Sequence, residues 1–177
     1  EIGPVPEKQR DKIYKEFKRY DKKTEGEILL AEIYYYIDKY HELLKLFDNI
    51  SEDIRRYNKN NKELLIKYLI VKASYYRYIG KIETCSSLFD EILQLSSDVN
   101  LSPEIKAKMY RQMANYYLFT TSEHGKSVQM FDSALAYYNK LGNQPVEIFS
   151  CHWCLGQALT RLKKYNQADI HLNSCEA

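Results

Sequence analysis

Apolar residues in this chain recur at steps of three and four, not in alternation. Leu43/Phe47/Ile50, Cys85/Phe89/Ile92, Ser127/Phe131/Ala134 and Ala168/Leu172/Cys175 each fall on one side of a helix. Upstream of each group, a small residue precedes a large one by three positions. These pairs stand in Leu30-Ala31-x-x-Tyr34, Ala73-x-x-Tyr76, Ala114-x-x-Tyr117 and Leu155-Gly156-x-x-Leu159. Such pairs share a helix face, and the small member lets a second helix approach closely. Polar and helix-breaking residues punctuate the pattern. Asn58-Lys59-Asn60-Asn61-Lys62 reads as a loop, Ser102-Pro103-Glu104 as a capped helix start, and Gly142-Asn143-x-Pro145 as one helix closing before the next opens. The pattern predicts helices over 8–22, 25–38, 40–57, 62–79, 82–97, 103–120, 124–141, 145–162 and 165–176. Six glycines and four prolines in 177 residues are too few for the turns of a many-stranded β fold. The expected class is all-α.

The helices come in copies. Phe47, Phe89, Phe131 and Leu172 stand 42, 42 and 41 residues apart, each inside a similar local stretch such as Leu46-Phe47-Asp48 or Leu88-Phe89-Asp90. Two amphipathic helices cannot bury their apolar stripe alone, so the copies are expected to stack. Residues 1–23 read as an N-terminal capping or linker helix, with Ile13, Phe17 and Tyr20 on one face. Residues 24–177 read as a repeat domain of about four units. The last predicted helix carries no polar cap, which is the expectation for an array truncated at its C-terminal end.

Small, aromatic, small and aromatic residues at these relative positions resemble the tetratricopeptide (TPR) repeat family, over roughly Glu25 to Ala177. The resemblance implies a right-handed α-solenoid of antiparallel helix pairs. This chain departs from the family in three ways. Glu27, Leu69, Tyr110 and His152 replace the consensus aromatic of the first helix, Lys72 stands where Leu is usual, and the period exceeds the common ~34 residues. Long-period versions occur in kinesin light chains, in Leu-Gly-Asn-type polarity scaffolds and in the peptide-sensing regulators of low-GC Gram-positive bacteria (the Rap, NprR, PlcR and Rgg group).

Composition narrows the function. A net charge of +2, from 26 basic and 24 acidic residues, leaves no strong footprint for nucleic acid or an anionic membrane. No apolar run is long enough to span a bilayer, and no secretory signal is visible. Cys85, Cys151, Cys154 and Cys175 lie on apolar helical faces, which suits reduced thiols in the cytoplasm.

Cys151-His152-Trp153-Cys154 is the one motif with chemical overtones. A redox pair needs a helix N-terminus beside a strand, and a zinc site needs two further ligands, for which His171 and Cys175 are weak partners. Packing is the favoured reading, with metal and redox as alternatives. His41, His124, His152 and His171 form no catalytic constellation, and no phosphate loop, nucleophile elbow or carboxylate pair is present. The expectation is therefore a protein without catalysis, cofactor or metal.

The resemblance also implies that the first helix of each pair lines a concave groove. It places Glu25, Leu29 and Glu32 there from the first repeat, and Lys67, Val71, Ser74 and Arg77 from the second. The third contributes Lys108, Arg111, Gln112 and Asn115, and the fourth Trp153, Gln157 and Arg161. Arginine pairs bidentately with carboxylates and Asn both donates and accepts, so an acidic segment or a free C-terminus is the expected ligand. The expected function is a peptide- or protein-binding module, with a peptide-sensing regulatory domain as the alternative; a homodimer is compatible with either.

Overall fold

The structure is a computed structural model that describes residues 23–48, 50, 62–97 and 99–175. The helix expected over 8–22, the capping or linker segment around it and the polar loop before Lys62 lie outside these residues. Within them the chain is all-α: 84% of the described residues are helical and none forms a strand. The helices are α1 (Lys23–Tyr36), α2 (40–48), α3 (Lys62–Tyr78), α4 (Ile82–Ser97), α5 (Pro103–Phe119), α6 (His124–Leu141), α7 (Pro145–Arg161) and α8 (Tyr165–Asn173). No described helix is long and apolar enough to cross a membrane.

The turns carry the same period as the phenylalanines. Asp38, Gly80, Ser122 and Lys163 all have positive φ, between 58° and 74°, and stand 42, 42 and 41 residues apart. Three of these turns close alike. The amide after the left-handed residue donates to the carbonyl five residues back, Lys39 to Tyr34, Lys81 to Tyr76 and Lys164 to Leu159, which satisfies an orphan carbonyl at the helix end. The third turn differs, since Thr121 donates to Tyr116 before the left-handed Ser122. Only one of the four positions is glycine, so the repeat is stronger in the backbone than in the residues. Ser102 departs from expectation: it precedes α5, but its hydroxyl makes no capping bond, and its amide donates instead to Glu63 Oε1 at 3.3 Å. A carboxylate arriving from the start of α3 takes one of the contacts at that helix start.

Packing follows two rules. Consecutive helices pack together in α3–α4, α5–α6, α6–α7 and α7–α8, and alternate helices touch in α1–α3, α3–α5 and α5–α7. Phe47, Phe89 and Phe131 are all buried. Phe47 meets the rings of Tyr68 and Tyr75 edge-on at 5.6 and 5.9 Å, and Phe89 lies 5.4 Å from Tyr116. Lys72, in its unusual position, holds its ammonium over the rings of Phe47 and Tyr68, so its long stem serves where a leucine would pack. Leu172 is half-buried, not enclosed like the phenylalanines, because short α8 buries only Ala168 fully. Opposite Leu172, Gly156 permits close approach: a Cβ there would stand 2.6 Å from Leu172 Cδ2.

Phe89→Ala should destabilise the fold by about 3–5 kcal/mol, read from chemical denaturation, as a large core truncation does. Gly156→Ala tests the α7–α8 contact by its sign. Alanine normally gains about 1 kcal/mol over glycine within a helix, but here it should destabilise by about 1–3 kcal/mol through overpacking. Adding Leu172→Ala should recover part of that loss; a stabilised single variant would show that the contact yields freely.

Candidate functional site

Helices α1, α3 and α5 meet at a small cleft. Glu32, Tyr35 and Tyr36 come from α1, Ile70, Val71 and Ser74 from α3, and Lys108, Arg111 and Gln112 from α5. Helical steps of three and four bring each trio to one face. The cleft encloses about 20 Å³, room for a water-sized group but not for a cofactor. Its chemistry is that of a socket for one polar group.

The charges in the cleft divide into two sets. Lys108 Nζ lies 3.3 Å from both oxygens of Glu32 and 3.2 Å from Glu104 Oε1, so two carboxylates already surround it. Burial alone would drive that ammonium to give up its proton; Glu32 and Glu104 more than offset this and hold its pKa above the ordinary lysine value. Arg111 has no such partner. Its Nη2 donates to Tyr36 Oη at 3.0 Å, while its Nε is buried without an acceptor. Arg77, at the end of α3, brings its charge beside the Tyr35 hydroxyl and also keeps a buried Nε without an acceptor among the described residues. Burial raises the Tyr35 pKa despite the guanidinium beside it.

Two further buried polar atoms lie close by without partners, Gln112 Oε1 and Tyr138 Oη, the latter close enough to feel the Arg111 charge. Most buried polar atoms in folded proteins are paired, so Arg111 Nε and Gln112 Oε1, on two residues that line the cleft, stand out. Ser74 is not one of them: its hydroxyl donates to the Ile70 carbonyl at 2.8 Å.

The sequence-based groove residues therefore separate. Glu32, Val71, Ser74, Lys108, Arg111 and Gln112 share the cleft, and Arg77 adjoins it through Tyr35. Lys67, Asn115 and Gln157 are half-buried and Trp153 is half-exposed, and none of these four lines the cleft. Arg161 is engaged elsewhere: Nη1 donates to the Leu118 carbonyl at 2.9 Å and the guanidinium lies over the Phe119 ring. The sequence reading passed over Tyr35, Tyr36 and Tyr138. Tyr34-Tyr35-Tyr36 is a visible run, but within it only Tyr34 carries the repeat signature.

The cysteines are four free thiols, with Cys85 and Cys151 fully buried. Burial pushes the Cys85 thiol up to about 11 and the Cys151 thiol up to about 12, against the smaller opposing pull of nearby arginines. Neither resembles an activated nucleophile, which needs a lowered pKa. Among the described residues no group of three or more His, Cys, Asp or Glu could hold a metal ion. Iodoacetamide at about pH 8 should leave Cys85 and Cys151 unmodified in the folded protein, because the thiolate is the reacting form. Peptide mapping reads the outcome, and rapid native labelling of Cys151 would contradict this burial. The sequence matches no protein-family model and no curated protein.

Proposed function

We propose that this chain is a tetratricopeptide-like interaction module, without catalysis of its own, that binds an acidic peptide or protein segment on the row formed by α1, α3, α5 and α7. One observation carries the reading: Arg111 lines the cleft and keeps a buried Nε for which the described residues supply no acceptor. Leaving a buried polar group unpaired costs about 1–3 kcal/mol, and more when it is charged. A carboxylate meets that need best, since it accepts two parallel bonds from one guanidinium. Arg77 adds a second cation within the same neighbourhood, whereas the Lys108 charge is already balanced by Glu32 and Glu104.

The solenoid arrangement draws support from the contacts between alternate helices and from the period shared by turns and phenylalanines. Stacked helix pairs present their first helices side by side, which gives an extended ligand a continuous surface. The small cleft then receives one acidic side chain or terminus of that ligand, and Asn115 further along α5 is placed to bond its backbone. The four free thiols suit a cytoplasmic setting.

Fluorescence anisotropy with a pool of labelled Asp- and Glu-containing octapeptides, with free and amidated C-termini, tests the proposal. Peptides selected from the pool should lose one to two decades of affinity for Arg111→Ala, as expected for removal of a charged hydrogen bond worth about 1.5–3 kcal/mol. Asn115→Ala should weaken binding with little change in melting, and added salt should weaken it further. Binding that ignores both Arg111→Ala and Asn115→Ala would place the site on another face.

A further inference from the structure

His152, from the Cys151-x-x-Cys154 motif on α7, finds its partner in neither cysteine. Its Nδ1 lies 2.9 Å from Nδ1 of His171 on α8. The ring centroids are 5.2 Å apart, longer than the nitrogen contact by about the width of one imidazole, and the rings are tilted by 30°. The two nitrogens therefore face each other nearly in line, as in an N–H···N hydrogen bond, and the rings do not overlap as a stack. This geometry requires one Nδ1 to carry a proton and the other to be bare. A pair holding one extra proton keeps the bond, with an imidazolium donating to an imidazole. A pair holding two extra protons sets two N–H groups and two positive charges head to head.

Although α8 lies along α7, few of its side chains are buried. Ala168 is its one fully buried residue, and it leaves α7 through the turn containing left-handed Lys163. Leu172 packs against Gly156, and Cys175 Sγ lies 3.7 Å from the Phe149 carbonyl. Segments with few buried apolar contacts open locally at low free-energy cost, so one polar contact weighs heavily here.

We propose that the His152–His171 pair is a proton-operated latch that fastens α8 to α7 at neutral pH and releases it in acid. The titratable groups facing the pair agree with this. Asp132 on α6 faces the pair from a third helix, its carboxyl raised by burial against the smaller opposing pull of His171. Burial and the neighbouring ring both disfavour a charge on His152, whose pKa is lowered. The sign follows from linkage: the released state binds a proton that the latched state refuses, so docking is complete above the ordinary histidine pKa of about 6.5 and is lost as pH falls below it. The two rings titrate as a pair, not as independent groups. Release bares Gly156 and the side of α7 that α8 covers, and so changes the surface available to a partner.

Hydrogen exchange by mass spectrometry, corrected for intrinsic rates, reads the latch on the intact protein. Between about pH 7.5 and pH 5.5 the protection of α8 amides should fall about tenfold, the effect of one refused proton, while α3 and α4 hold theirs. In His171→Gln that pH dependence should vanish; in Asp132→Asn it should persist. A flat profile in the unmodified protein, or a pH dependence abolished by Asp132→Asn alone, overturns the proposal. Should His171→Gln fail to dock α8 at any pH, nitrogen shifts of the imidazoles in the unmodified protein decide. Opposite tautomers at about pH 7.5 and a two-step titration support the latch, and two rings titrating independently near 6.5 refute it.

Discussion

Ala31, Ala73, Ala114 and Gly156 occupy the same register in α1, α3, α5 and α7, and all four are buried. Each fills its buried position with no more than a methyl group or a hydrogen. The Gly156 case makes the limit explicit, since even one added carbon would run into Leu172. Phe47, Phe89 and Phe131, each in the helix that follows one of the three alanines, are buried as well. Across α3, Glu32 of α1 reaches Lys108 of α5 and Tyr36 of α1 reaches Arg111. Larger residues would push the helices apart, and the cleft would open to water that satisfies its donors. The polar centre thus depends on the smallest side chains in the chain.

Around that centre the chain retains polar atoms that an apolar core would have avoided. Arg111 and Tyr138 lie beside each other with Nε and the hydroxyl unpaired, and Gln112 keeps its amide oxygen buried. Apolar residues of similar volume at such positions are often as stable or more so. The proposed acidic ligand draws its support from these atoms and not from the net charge of the surface.

Helix positions were legible because they depend on local steps. The stretches 82–97, 124–141 and the start at Pro145 match the pattern of apolar residues and breakers, and the 42-residue spacing already implied equivalent burial for the three phenylalanines. What stayed hidden depends on distant partners. Lys108 and Arg111 read as two free cations on one stripe, yet the first is paired with a carboxylate 76 residues earlier in the chain. Arg161 reads as a groove cation, but a carbonyl 43 residues away takes its guanidinium. His152 and His171 each look unremarkable on their own helices, and only the crossing of α7 and α8 makes them a pair. Periodicity gives the face a residue occupies; it does not give the rotamer or the partner.

The bonds from α1 to α5 pass across α3. In a linear array each unit ordinarily touches only its neighbours, and unfolding can begin at one end and stop at a boundary. Glu32–Lys108 and Arg111–Tyr36 join α1 to α5, and Lys108 would keep only the more exposed Glu104 if α1 detached. Fraying of the first helix is thereby opposed from two units away. Detaching α1 would therefore cost contacts in α5 as well, while α8 packs chiefly on α7.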